Sequence, residues 1–184
     1  MNTATSRFVD PSPAGVVYQS MLSELLTAEL DRRKTLEARG ATLVAASAAL
    51  VTLIFGLTVI VTGKDHVFVN RHAVLALLAA MALFVISAMI AITVQTYGFK
   101  YTVVEPKYLK TLAGTREAWT QTADFAVRID VGQKAKTIGS LRTGNATMAN
   151  LITWSLRLQL VAIALLSVSV GLEIYARLSI QSAA

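Results

Sequence analysis

Residues 41–62, ATLVAASAALVTLIFGLTVIVT, form a run of 22 residues without a charged side chain. At a rise of about 1.5 Å per residue, roughly 20 helical residues cross a hydrocarbon core about 30 Å thick. A second uncharged run, from Ala73 to Phe99, meets that length, and Leu158 to Leu172 is an uncharged centre that reaches it with its flanks. Because a bilayer offers no water to backbone groups, such runs cross it as helices. The sequence therefore predicts an all-α integral membrane protein with three transmembrane helices.

The basic residues are unevenly distributed among the segments that these spans separate. Of the 17 lysines and arginines, most precede the first span or lie between Lys100 and Arg157, and only Lys64 and Arg71 lie between the first two spans. The positive-inside rule places segments rich in lysine and arginine in the cytoplasm. We therefore expect a multi-pass membrane protein with a cytoplasmic N-terminus and an external C-terminus.

The chain divides into eight predicted segments. Polar residues and two early prolines predict a disordered tail, which is followed by a long cytoplasmic helix that enters the first span without a proline break. The segments are the disordered tail 1–12, the cytoplasmic helix 13–40, the first span 41–62, the external loop 63–71, the second span 72–97, the cytoplasmic helical region 98–153, the third span 154–176 and the external tail 177–184.

Within the cytoplasmic helical region, apolar spacing predicts a helix near 106–130. Glycine weakens a helix, so Gly132, Gly139 and Gly144 predict a looser basic segment up to about Gly144. A last helix is expected to run from Asn145 into the third span.

Small side chains recur at helical spacing on the first two spans. Ala41, Ala45 and Ala49 are four residues apart, as are Ala76 and Ala80. Small residues allow helices to approach closely in a membrane. We expect these alanines to form the contact of a tight hairpin.

A polar stripe follows one side of the third span. Ser155, Gln159, Ser169 and Glu173 fall on one face because, together with Ala162 and Leu166, they follow one another at spacings of four and three residues. Such a stripe either lines a water-filled path or forms hydrogen bonds with neighbouring helices. Glu173 is a functional candidate as an intramembrane acid, although Arg177 four residues later also fits an interfacial ion pair.

A second candidate site consists of basic side chains of the cytoplasmic region that could bind a phosphate, together with an aromatic ring that could stack on a base. Basic residues near a membrane are also expected from topology alone. The candidates for ligand binding are Arg116, Trp119, Arg128, Lys134, Lys136 and Arg142.

Several classes of function find no support in the sequence. The chain has no cysteine and only two histidines, too few to build a metal site by themselves. Paired carboxylates, a nucleophile elbow and a glycine-rich dinucleotide turn are all missing from the sequence. We expect neither an enzyme nor a bound cofactor or metal, and no nucleic-acid partner.

Two stretches, LTAELDRRKTLEARGATLVAASAALVTLIFGL at 26–57 and LRTGNATMANLITWSLRLQLVAIALL at 141–166, join charged helices to spans. With the hairpin between the first two spans, this layout resembles the small transmembrane effectors of bacterial Pycsar antiphage systems. It is also similar to the two-span effectors of other nucleotide-signalling defence systems.

The resemblance implies a function. A partner nucleotide cyclase would supply a cyclic pyrimidine nucleotide, cUMP or cCMP, and the effector would form a homo-oligomer that impairs the inner membrane and causes abortive infection. The residues leave two alternatives open. One is a constitutive oligomeric membrane scaffold or interaction protein, and the other is a small ion channel component.

Overall fold

The computed structural model describes residues 10–62, 68–96 and 101–182, which contain five helices and no strand. Three of these helices are long and apolar enough to cross a membrane. The all-α prediction with three candidate spans is therefore confirmed, whereas membrane insertion and orientation stay predictions. The helices are α1 Pro13–Thr62, α2 Arg71–Thr96, α3 Pro106–Gly114, α4 Arg116–Trp119 and α5 Ala123–Gln181.

The chain folds as two compact units. The first unit comprises residues 1–34 and 99–146, and the second unit comprises residues 35–98 and 147–184. Because α1 and α5 are each continuous, both helices contribute residues to both units.

The start of α1 is fixed by a serine that the sequence placed in a disordered tail. The hydroxyl of Ser12 accepts a hydrogen bond from the Gly15 amide at 3.2 Å, and the Ser12 amide donates to Asp124 Oδ1 at 2.7 Å. Serine is a favoured N-cap, and Pro13 suits the first helical position. The predicted disordered tail, residues 1–12, is therefore wrong to include Ser12. Residues 1–9 lie outside the described residues.

In the first unit, α1 and α5 run parallel. Polar contacts join Gln19 to Asp130 at 3.3 Å and Ser23 to Lys134 at 2.9 Å, so the residue numbers rise together along both helices. The N-terminal part of α5 therefore packs along the predicted cytoplasmic helix.

The expected division of the cytoplasmic region near Gly144 is wrong. The first helix ends at Gly114, the chain bends around Thr120, and α5 then continues unbroken from Ala123 through Gly132 and Gly139. An interior glycine costs a helix about 1 kcal/mol relative to alanine. The contacts of α5 with α1 offset this cost, which a residue-by-residue reading of glycine does not capture.

The second unit is built from the apolar parts of α1, α2 and α5. Its core contains Ile54 of α1, Phe84 of α2 and Ala162 of α5, all almost fully buried. Further buried positions on α2 and α5 alternate at three and four residues, the spacing of left-handed helix packing. They are Ala73, Ala80, Ser87, Ala91 and Val94 on α2, and Met148, Ile152, Ser155, Gln159, Ser169 and Glu173 on α5.

The predicted alanine face of the first span is wrong. Ala41, Ala45 and Ala49 are exposed in the chain, and α1 instead turns Leu43 and Ser47 inward. Small residues occur on more than one face of this part of α1. The spacing of the alanines alone therefore does not specify which face packs against the other helices. On α2, by contrast, Ala80 is fully buried.

The close approach of α1 to α2 occurs at a glycine. A Cβ atom on Gly40 would lie 3.3 Å from Val94 Cγ1 and 3.4 Å from the carbonyl oxygen of Ala91. Gly40 therefore allows the two helices to meet, while α1 continues through it without a break.

Candidate functional site

The polar stripe of the third span contacts both neighbouring helices. Ser87 of α2 and Ser155 of α5 place their hydroxyl oxygens 2.7 Å apart, and each hydroxyl also lies within 3.1 Å of the other residue's carbonyl oxygen. Both residues are fully buried. Small side chains that reach the opposite backbone require closely spaced helices, so this pair marks the tight contact between α2 and α5.

Gln159 provides the corresponding contact between α5 and α1. Its side-chain Nε2 donates to Ser47 Oγ at 2.7 Å and to the Leu43 carbonyl oxygen at 3.3 Å. Gln159 and Ser47 are both buried. A buried amide that finds partners on one neighbouring helix fixes the alignment of the two helices along their axes.

Glu173 of α5 lies beside the two residues that precede α2. Its carboxylate oxygens accept hydrogen bonds from the backbone amides of Val69 at 3.0 Å and Asn70 at 3.1 Å, and from Arg177 Nε at 2.9 Å. Val69 and Asn70 immediately precede α2, and a negative charge is favourable at a helix N-terminus. Ser169, one turn earlier on α5, donates to the Ala73 carbonyl oxygen at 2.6 Å. Together these contacts tie α5 to the start of α2.

All four side chains of the predicted stripe therefore lie between helices of one chain. Each is less than one tenth exposed. A water-filled path lined by Ser155, Gln159 or Ser169 would first have to break these hydrogen bonds. The chain thus holds these four polar side chains in helix contacts.

The six candidate ligand-binding residues do not converge. Lys134 binds Asp130 at 2.7 Å, whereas Arg142 binds Glu29 at 2.9 Å. Arg128 and Arg142 are fourteen positions apart on α5, about 21 Å of helix. The remaining three, Arg116, Trp119 and Lys136, are exposed.

The first unit contains an apolar cavity of about 220 Å³ between α3 and α5. None of the six candidate residues lines it. Its polar lining side chains are Tyr108, Asp130 and Gln133, none of which is a cation, so its chemistry does not favour an anion. The remaining lining residues are Val104, Leu109, Leu112, Ala118, Phe125, Ala126 and Ile129.

A buried carboxylate in the first unit was not predicted. Glu29 of α1 accepts hydrogen bonds from Arg142 Nε at 2.9 Å and from Asn145 Nδ2 at 3.0 Å, and the same Nδ2 lies 3.0 Å from the Glu29 carbonyl oxygen. Arg32 Nη1 is 4.0 Å from the carboxylate. Asn145 is 1% exposed. This polar cluster joins the two long helices within the first unit.

Opposing effects act on the pKa of Glu29. Burial raises the pKa, but the hydrogen bonds from Asn145 and Arg142 and the charges of Arg142 and Arg32 outweigh it, so the pKa lies below 4.5. Glu29 is therefore ionised at neutral pH.

One feature of the sequence could have indicated that Asn145 is buried against another helix. Ile138, Leu141 and Asn145 are spaced by three and four residues, which continues the packing face of α5.

No protein-family model, curated protein or solved structure matches the chain. Among residues 10–62, 68–96 and 101–182, no three histidine, aspartate or glutamate side chains come together as a potential metal site.

Proposed function

We propose that the protein is a membrane effector whose first unit responds to a small anionic ligand and whose spans then impair the bacterial inner membrane. The observation that carries this proposal is the continuity of α1 and α5. Each helix is unbroken, and polar contacts join the pair in both units, through Glu29 and Asn145 in the first and through Ser47 and Gln159 in the second. A change in their pairing in one unit can therefore be passed along both helices.

The spans contain groups that can change partners. Ser155, Gln159 and Ser169 are satisfied within the resting chain, and a displacement of α5 would release them to bind other copies or water. A ligand shifts such an equilibrium only to the extent that it binds the two states differently. We propose that the active state is a homo-oligomer in the bilayer.

The proposed ligand is a cyclic pyrimidine nucleotide, cUMP or cCMP, made by a partner cyclase. The resemblance to Pycsar effectors supports this choice. Arg116, Arg128 and Lys136 are exposed, so a phosphate can reach their side chains, and Trp119 is 72% exposed.

A second candidate function is a constitutive scaffold. The first unit exposes large apolar side chains on α1, α4 and α5, including Val17, Tyr18, Trp119 and Phe125. Exposed apolar patches often mark sites of protein association. In this alternative the first unit binds other proteins without a small-molecule signal.

The proposed orientation predicts a labelling pattern. Because the chain has no cysteine, single substitutions report the side of the membrane without interference. Ala135→Cys should resist a membrane-impermeant maleimide in intact cells, whereas Ser182→Cys should react. Permeabilised cells provide the control, since both variants should then react. Rapid labelling of Ala135→Cys alone in intact cells would reverse the orientation.

The proposed activity predicts ligand-dependent leakage. Purified protein in dye-loaded liposomes should release dye after addition of cUMP or cCMP. Ser169→Leu should abolish that release because a buried polar group of the third span is lost, whereas Ser167→Leu, at an exposed position, should release dye as the wild type does. Recovery of both variants in liposomes with normal helicity is the control.

The leakage assay also separates the two functions. If neither nucleotide binds the protein or alters leakage, the effector proposal is wrong and the scaffold takes its place. Co-purification of the same protein partner with the wild type in the absence of nucleotide would support the scaffold.

A further inference from the structure

Two guanidinium groups meet at one buried carboxylate in the first unit. Arg142 Nε is 2.9 Å from Glu29 Oε1, and Arg32 Nη1 is 4.0 Å from Glu29 Oε2. The side chains of Arg32 and Arg142 are 54% and 56% exposed, whereas that of Glu29 is 11% exposed. The cluster therefore carries one positive charge in excess, and this charge lies on its solvent-exposed side.

The carboxylate is held in place from the buried side. Asn145 Nδ2 is 3.0 Å from Glu29 Oε2 and also 3.0 Å from the Glu29 carbonyl oxygen. Glu29 thus remains between the helices, where it accepts a hydrogen bond from Arg142 and lies 4.0 Å from Arg32. A guanidinium has five N–H donors in a planar fork, and Arg142 uses its Nε for Glu29.

We propose that Arg32 and Arg142 form a binding site for a phosphate-type anion, and that the Glu29 carboxylate competes with the anion for their guanidinium groups. Two partly exposed guanidinium groups on neighbouring helices provide charge-assisted, directional hydrogen bonds of the kind that phosphate binding requires. The proposed site pairs Arg142 with Arg32, which is not among the six candidate ligand-binding residues predicted from the sequence. The site also spans α1 and α5.

The phosphate could belong to a soluble ligand or to a lipid headgroup. Arg32 precedes the predicted first span by nine residues, about 14 Å of helix, and Arg142 precedes Trp154 by twelve residues, about 18 Å. The headgroup layer extends only about 5–8 Å beyond the hydrocarbon core. The distances favour a soluble anion.

Binding there would change the contact between the long helices. An anion that draws Arg142 from Glu29 leaves the carboxylate with Asn145 and weakens one of the polar contacts between α1 and α5. The link from this change to membrane damage rests on the proposed function, whereas anion binding itself does not.

The binding test uses the full chain in neutral phosphatidylcholine nanodiscs, titrated calorimetrically with inorganic phosphate at constant ionic strength. The double variant Arg32→Gln with Arg142→Gln should weaken binding by at least about tenfold because it removes two charge-assisted contacts. Lys34→Gln with Lys107→Gln removes the same charge from exposed positions of the first unit and should bind as the wild type does. Equal affinity of the arginine variant and the wild type would overturn the site.

Glu29→Gln separates a binding site from a purely structural cluster. It removes the competing negative charge but keeps a side chain that Asn145 can bind, so phosphate affinity should rise several-fold. Unchanged or weaker binding by a variant with wild-type helicity would contradict the proposal.

The source of the phosphate is tested by adding phosphatidic acid to the nanodiscs and measuring retained lipid by native mass spectrometry. Arginine-dependent titration in neutral nanodiscs assigns a soluble anion, whereas arginine-dependent retention of phosphatidic acid alone assigns a headgroup. If neither occurs, the site is wrong. If phosphate binds but no nucleotide causes leakage, the site stands and the proposed function falls.

Discussion

Replacing Ala162 by leucine should lower the free energy of unfolding by about 1–3 kcal/mol. Ala162 is fully buried on α5, in the cluster that contains Ile54 of α1 and Phe84 of α2. The interior of a folded bundle is close-packed, so three additional carbon atoms force the helices apart or push side chains away from their preferred rotamers. The same change should also alter the contacts of neighbouring Gln159 with α1.

The matched control is Ala164→Leu. Ala164 is exposed and lies only two residues further along α5, so the added atoms meet no helix of the same chain. Its effect should stay within about 0.5 kcal/mol. The free energy of unfolding of both variants is measured in mixed micelles that are titrated with dodecyl sulfate. Unfolding is followed by the loss of the helical circular dichroism signal. Similar losses for both would mean that the Ile54–Phe84–Ala162 core does not hold the second unit together.

The number and position of the candidate spans could be predicted because span length and apolarity belong to each segment by itself. A spanning helix must satisfy its backbone hydrogen bonds internally and cover the thickness of the hydrocarbon core, whatever it packs against. The polar face of the third span could also be predicted, since spacings of three and four put Ser155, Gln159 and Ser169 on one side of the helix. None of these inferences needs a partner residue.

The partners could not be predicted. Glu29 and Asn145 are 116 residues apart in sequence, and Ser87 and Ser155 are 68 apart. Nothing in a single sequence states which positions of two distant helices face each other. The exposed position of Ala45 has the same cause, because α1 offers small residues on more than one face and its neighbours select another.

The candidate ligand site shows the same limit in its electrostatics. Composition identifies every basic side chain, but whether an ammonium or guanidinium is available depends on nearby carboxylates. Lys134 is paired with Asp130, and Arg142 shares Glu29 with Arg32. The unbroken course of α5 was missed for a related reason, because the contacts that hold the turns around Gly132 and Gly139 in a helix are made by other α5 residues with α1.

Replacing Glu173 by leucine should destabilise the second unit more strongly, by about 3–5 kcal/mol. The carboxylate is fully buried and accepts hydrogen bonds from the amides of Val69 and Asn70 and from Arg177. Leucine accepts none of them. The backbone amides of Val69 and Asn70, just before α2, then lose their acceptor, and the positive charge of Arg177 loses its partner.

Two further variants divide the role of Glu173 between the helix start and the ion pair. Glu173→Gln keeps one acceptor oxygen and should fall between the wild type and the leucine variant, because the amide lacks the charge that favours a helix N-terminus. Arg177→Gln should be the mildest, because Val69 and Asn70 keep their acceptors. The dodecyl sulfate titration ranks all three. If Arg177→Gln were as damaging as Glu173→Leu, Glu173 would act through its ion pair, and its hydrogen bonds to the start of α2 would contribute little to stability.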